Sequence, residues 1–343
     1  MVATSPTTRG GISSVLKVYQ QCDFWKDYSI KWVVTHTDGS LFKKMYYALK
    51  SFFSFIFIAP RYNLVHIHLS EAPSMLRKLP FFLISRLYHK KTVIHFHSFD
   101  PGTTINSRFK PFYRFMFSKA DRVIVLSPSW KDRLKDSLGI SDTLVVLYNP
   151  CMDVEVIVPE AKQNIILFAG ALTMRKGYAD LIRAFERIAS QAADWKLVFA
   201  GSGEIEEGKK LAEELGISNQ VEFAGWVNGT DKAKLFASAC IFCLPSYAEG
   251  FPMAVLDAYS YGIPVITTPV GGIPDIIKDK VNGLLFTPGD IQSLSNCLLQ
   301  LITHPKERNA LGQESYRMAK TIFSPKEIEK QLCALYDELL FLK

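Results

Sequence analysis

Between Ile165 and Lys278, short apolar runs alternate with amphipathic stretches, and few architectures accommodate that rhythm. Strands are expected at Ile165–Phe168, Lys196–Ala200, Val221–Phe223, Ile241–Leu244 and Pro264–Thr267. Helices are expected at Tyr178–Gln191, Ile205–Leu215, Lys232–Ala239, Pro252–Tyr261 and Ile273–Lys278. Strands that alternate with helices at this spacing form a parallel sheet covered on both faces.

The first half carries the same rhythm less cleanly. Ile30–Thr35, Leu64–His68, Thr92–His97 and Arg122–Leu126 read as strands, with helices starting near Ile12, Pro73, Pro111 and Pro128. Only Met1–Thr4 precedes the Gly10-Gly11 turn, so an opening strand there is very short or truncated. At 343 residues the chain exceeds what one core usually supports. The expected division is a first domain, 1–151, and a second, 152–323, joined near Tyr148-Asn149-Pro150 and Pro159 by an extended linker. A last helix, 324–343, has Ile328, Leu332, Leu335, Tyr336 and Leu339 on one face, a stripe suited to packing back on the first domain.

Apolar residues make up 48% and charged residues 21%, the composition of a globular enzyme. The N-terminus lacks the apolar core of a secretory signal. The longest apolar run, Phe52–Ala59, is far below the roughly 20 residues that span a bilayer. Six cysteines without framework spacing read as reduced thiols, which places the protein in the cytoplasm. The net charge of +7 is unevenly spread: residues 1–150 hold 21 Lys and Arg against 9 acids, and the remainder 19 against 24. The first half therefore faces something anionic.

Several chemistries lack their motifs. Gly201-Ser202-Gly203-Glu204-Ile205-Glu206 has an acid where a dinucleotide fold needs its third glycine, and there is no phosphate-binding G-x-x-x-x-G-K-[ST]. Cys240 and Cys243 lie on an apolar strand whose side chains alternate between faces, so no metal set is expected there. No nucleic-acid-binding motif accompanies the basic charge.

The informative stretch is Leu244–Gly272. A strand ends at Pro245, a loop follows, and a helix opens at Pro252. The amides of Gly250, Phe251, Met253 and Ala254 then point from a helix N-terminus, a natural seat for a diphosphate. Glu249 stands just ahead of that seat, suited to accept hydrogen bonds from sugar hydroxyls, and Asp257 lies about two turns on, within reach of a ribose diol.

The Glu-x7-acid spacing in PSYAEGFPMAVLDAYSYGIPVITTPVGG resembles the Glu-x7-Glu motif of retaining glycosyltransferases of family 4 (glycosyl transferases group 1) with the GT-B fold. RGGISSVLKVY, HFHSFD, ADRVIVLSPSWKD, FAGALTMRKG, GSGE, FAGWV and NGLLF continue the resemblance in order over nearly the whole chain. The resemblance implies two Rossmann-like domains facing across a cleft, donor mainly on the second and acceptor mainly on the first. Lys176, with Arg175, would neutralise the leaving diphosphate; Glu249 would bind the donor sugar and Asp257 the ribose. Gly10 and Gly11 would bring amides to the diphosphate, His97 would line the reaction centre, Asp100 would lie on the acceptor side, and the base would meet backbone near Gly225. Two positions depart from the family pattern: Ala171 replaces an arginine, and Asp257 is one methylene shorter than the usual glutamate.

The co-substrate is then a nucleotide-diphosphate sugar and the acceptor a polysaccharide or lipid-linked glycan. With no D-x-D motif, no metal or other cofactor is expected. Alternatives within the fold are a nucleotide-sugar epimerase, a phosphorylase, or a non-catalytic nucleotide-sugar-binding protein. One segment stays open on its pattern. In Lys43–Ile58, Lys43, Lys44, Lys50, Ser51 and Ser54 share one helical face, with Phe52, Phe53, Phe55 and Ile56 mostly opposite. Such a helix packs in a core or lies on an anionic membrane surface, which would make the enzyme peripheral on the inner face of the plasma membrane.

Overall fold

The structure, a computed structural model, describes residues 1–8, 10–98, 100–154 and 162–341. Arg9, Phe99, Pro159 and the last two residues of the expected final helix, Leu342 and Lys343, lie outside the described residues. The chain divides into two compact units. One comprises Met1–Pro150 with Pro325 onward, the other Cys151–Ser324, so the first boundary falls one residue ahead of its expected place.

The first unit runs β1 (Val2–Thr4), α1 (Gly11–Tyr19), α2 (Phe24–Asp27), β2 (Val33–His36), α3 (Leu41–Ile58), β3 (Leu64–Leu69), α4 (Ala72–Leu87), β4 (Lys91–Phe96), α5 (Lys110–Lys119), β5 (Arg122–Val125), α6 (Pro128–Leu138) and β6 (Leu144–Val146). Its sheet is parallel, in the order β2-β1-β3-β4-β5-β6. The opening strand is only three residues long, yet it pairs on both sides. Val65, Ile67, Val93, Ile94, Val123 and Ile124 are all buried, as strands covered on both faces require. With right-handed crossovers, α3 to α6 step toward β6 on one face, while α1 steps back to β2 on the other.

The second unit runs β7 (Ile165–Ala169), α7 (Tyr178–Glu186), β8 (Lys196–Ala200), α8 (Ile205–Glu214), β9 (Val221–Gly225), α9 (Gly229–Ser238), β10 (Ile241–Leu244), α10 (Met253–Ser260), β11 (Val265–Thr267), β12 (Leu284–Leu285), α11 (Ile291–Thr303) and α12 (Pro305–Lys320). Its parallel sheet has the order β12-β11-β10-β7-β8-β9. Two expectations shorten. The helix from Tyr178 ends at Glu186, and Ile273–Lys278 is a single 3-10 turn, Ile273–Asp275, after which Ile276 leaves helical geometry at φ -121°.

The final helix, α13 (Pro325–Phe341), returns to the first unit. It buries Ile328, Leu332, Tyr336 and Leu339. Glu329 accepts from the Phe24 amide at 2.7 Å, and Glu338 pairs with Arg122.

Candidate active site

In the second sheet the chain winds outward from β7 to β8 and β9, then restarts at β10 on the other side of β7. The strand order therefore reverses between β7 and β10, and open α/β sheets place ligands at the carboxyl ends of such strands. Two loops emerge there: Gly170–Gly177 after β7, and Pro245–Pro252 after β10. They are locked together. Gly177 has φ 70°, and a Cβ there would lie 2.1 Å from the Pro245 carbonyl oxygen. The Tyr247 amide donates to the Arg175 carbonyl at 2.8 Å, and the Arg175 guanidinium donates to the Ala248 carbonyl at 2.8 Å.

This clamp presents Glu249. Glu249 is 8% exposed, and its carboxylate Oε1 accepts from Lys176 Nζ at 2.5 Å and from Ser246 Oγ at 2.5 Å. Behind it, Gly271 (φ 61°) passes so close that a Cβ would lie 1.9 Å from the Glu249 carbonyl. Ser246 is held in turn, its carbonyl accepting from Thr268 Oγ1 at 2.5 Å. A lysine ammonium has three protons, so Lys176 can hold Glu249 and still donate to a phosphate.

Pro252 caps α10 rather than opening it, so the helix starts at Met253. The first amides of an α-helix have no carbonyl within it, which leaves Met253 and Ala254 as donors at its N-terminus. Gly250 and Phe251 stand in the loop just before it. Asp257 thus lies little more than one turn inside the helix, its two turns being counted from Glu249 in the loop. Asp257 is buried, and its Oδ2 accepts from Lys232 Nζ of α9 at 2.5 Å. Burial pushes the Asp257 carboxyl above its ordinary range, and Lys232 pulls it part of the way back. Gly225 ends β9 with φ 68°, next to the half-exposed Trp226.

The remaining sequence-derived positions lie in the first unit. Gly10 caps α1 and Gly11 begins it. His97 follows β4 and is half-buried, its Nε2 3.0 Å from His68 Nδ1. The carboxylate of Asp100 accepts from the Gly102 amide at 2.8 Å, and its carbonyl accepts from Thr104 Oγ1 at 2.5 Å, which closes a local turn.

Sequence reasoning missed several groups. Ser246 lay within the quoted motif without a role, and nothing local marked Lys232 as Asp257's partner. Lys78 is fully buried and donates to Ser74 Oγ at 2.9 Å; burial, and Arg77 beside it, lower its ammonium to about 7. His66, His68 and His95 form a stacked column that His97 extends. Ligand atoms of the first three lie within 4.8 Å of one another, the one group among the described residues with the spacing to hold a metal ion. The His66 and His68 planes differ by only 6°, however, so an ion in the plane of one ring would sit over the face of the other. His66 Nδ1 instead meets the Tyr336 hydroxyl at 2.5 Å.

Two parallel α/β units, the second with a carboxylate and a lysine beside a helix N-terminus at its switch point, define the GT-B class. The family model for glycosyl transferases group 1 matches residues 153–318, and that for glycosyltransferase family 4 matches residues 28–152. The chain belongs to this family of glycosyltransferases. An uncharacterized glycosyltransferase of Methanocaldococcus jannaschii is 40% identical over 39% of this chain and 34% of its own length. The lipopolysaccharide 1,6-galactosyltransferase of Salmonella typhimurium is 32% identical over 54% of this chain and 53% of its own. The chain thus spans about a third to a half of these relatives. Anabaena HepE, solved with UDP, is 20% identical and matches with a TM-score of 0.77 over 98% of both chains, a likeness of fold.

Proposed function

We propose that the protein is a retaining glycosyltransferase that moves a hexosyl group from a nucleotide-diphosphate sugar to a polysaccharide or lipid-linked glycan, without a metal. The observation that carries this reading is Glu249: a buried carboxylate held by Lys176 and Ser246 beside the N-terminus of α10. With both contacts on Oε1, Oε2 is left to accept from a sugar hydroxyl. The diphosphate lies on the amides of Gly250, Phe251, Met253 and Ala254, with Lys176 and Arg175 alongside, and Asp257 meets the ribose. As the bond from the sugar's anomeric carbon to the diphosphate breaks, its electron pair leaves with the diphosphate. Fixed cations and helix amides stabilise that growing charge. The acceptor hydroxyl bonds to the same face of the sugar, and its proton passes to the departing phosphate oxygen.

For the first unit, the reading keeps Gly10, Gly11 and His97 as donor contacts and Asp100 on the acceptor side. HepE, solved with UDP and with UDP-glucose, supports a nucleotide-sugar donor. The Salmonella relative, named for galactosyl transfer to lipopolysaccharide, supports a glycolipid or polysaccharide acceptor. The same reading keeps the enzyme cytoplasmic and peripheral at the inner face of the membrane, where such acceptors are built. Among the described residues no helix is long and apolar enough to cross a membrane.

A thermal-shift screen with UDP, GDP, ADP and their sugars finds the donor, and turnover with that donor tests transfer. A shift with the nucleotide but no transfer to any glycan or lipid-linked acceptor would leave a binding protein, to which Ala171 points. Retention of anomeric configuration in the product separates this reading from an inverting enzyme.

A further inference from the structure

The helix α3 is built inside out. Ser51 and Phe55 face the sheet, while Phe42, Tyr46, Leu49, Phe53 and Phe57 form one stripe along the opposite side. Phe42 is 82% exposed and Phe57 74%. The wheel read from polarity alone had set Ser51 with the lysines and opposed both to the phenylalanines. In the fold Lys43 and Lys50 are exposed, and helical spacing sets them along one flank of the apolar stripe.

The neighbouring helices repeat the arrangement. Leu76, Leu83 and Leu87, spaced seven and four residues apart, are exposed along α4, with Leu87 at 72%. Phe112 and Phe115 are exposed on α5. α3 packs beside α4, and α4 beside α5, on the same face of the first sheet. Side by side, the three helices leave large apolar side chains outward over a surface that globular proteins rarely leave bare. From Leu41 to Lys119 the sequence holds 13 Lys and Arg and only two acids, Glu71 and Asp100.

We propose that the outward side of α3, α4 and α5 docks the first unit on an anionic bilayer. The helices lie in the headgroup layer, with aromatic and leucine side chains reaching the acyl boundary and the cations on lipid phosphates. Charge selects this occupant. A second copy would set one excess of cations against another, and a nucleic acid would find leucine and phenylalanine where it needs polar groups. The proposal takes up the membrane part of the proposed function and does not depend on its chemistry.

The test is co-sedimentation of the purified protein with vesicles of phosphatidylcholine, alone or with one third phosphatidylglycerol, without sugar donor. Binding is expected only to the anionic vesicles and should weaken as salt rises. Phe42→Ser with Phe57→Ser, and separately Lys43→Glu with Lys50→Glu, should each weaken it by about tenfold or more. These side chains point outward, and an acid at position 43 suits the first turn of a helix, so both variants should keep the wild-type circular dichroism and nucleotide-induced thermal shift. Three results would overturn the proposal: equal binding to neutral vesicles, variants that bind like wild type, or a wild-type dimer in solution that the phenylalanine pair dissociates. Since no donor is present, vesicle binding and sugar transfer can fail independently.

Discussion

Glu249 receives both of its side-chain contacts on a single oxygen, and that asymmetry makes its role testable. Glu249→Gln keeps the shape and removes the charge that holds Lys176. Turnover should fall by about a hundredfold or more while nucleotide affinity measured by calorimetry stays within a few-fold, because the diphosphate rests on backbone amides. Lys232→Met leaves Asp257 buried without its cation. It should cost about 2 to 3 kcal/mol, read as a lower unfolding midpoint, and adding Asp257→Asn should recover part of the loss. At this scale the sequence was legible where chemistry is local. Glu249, Lys176 and the α10 amides stand in short segments whose turn residues announce them. Lys232 was not legible, because α9 delivers it to Asp257 through packing that no local pattern records.

Among the elements, β3 and β4 present His66, His68, His95 and His97 toward α1 and α13, where Tyr19 and Tyr336 cover them. Burial first, and then the neighbouring imidazoles, hold His66, His68 and His97 well below 6.5; burial alone takes His95 to about 3. Their folded values lie below their unfolded ones, so the unfolded chain binds more protons once the pH drops under about 6.5. The stability they contribute is complete above that pH and is lost as acid is added, at about 1.4 kcal/mol per pH unit for each imidazole. Lys78, lowered from 10.5 to about 7, adds a slope of the same sign between those values. Unfolding midpoints followed from pH 4 to 8 should therefore rise with pH, most steeply below 6.5; at higher pH the thiols of Cys151, Cys243 and Cys297, which burial holds above their ordinary range, reverse the slope. His95→Leu should remove one proton from the acid limb, and Lys78→Met should flatten the rise above about 7. Period-2 spacing puts His66 with His68, and His95 with His97, on shared strand faces. Only the pairing of His68 with His95 across the sheet shows that the pairs merge into one column. For α3 the sequence read well as a helix and left its orientation open, since a wheel ranks faces by polarity and cannot tell which one the sheet receives.

For the molecule as a whole, the decisive connection is α13, which leaves the second unit at Ser324 and completes the first. It buries Ile328, Leu332, Tyr336 and Leu339 there, each contributing about 1.5 to 3 kcal/mol by its apolar area. A chain stopped after Ser324 should lose the cooperative unfolding of the first unit and expose it to proteolysis, while nucleotide binding by the second persists. Tyr336→Phe is the milder probe: it strips the hydroxyl from His66 and should cost about 1 to 3 kcal/mol. The two-unit plan was legible because each half repeats the strand–helix rhythm, and the return of α13 because its stripe had no partner nearby in sequence.

That same return sets a timetable for the protein's birth. The ribosome makes the lid of the first unit last, after all of the second, so the imidazole column and its apolar surroundings emerge long before their cover. At about 5 to 20 residues per second, the nascent first unit waits roughly ten to forty seconds for it. Throughout that interval the strip of this face that α13 later covers is open to chaperones, and a pause in translating the second unit should cost yield of folded protein rather than activity per molecule.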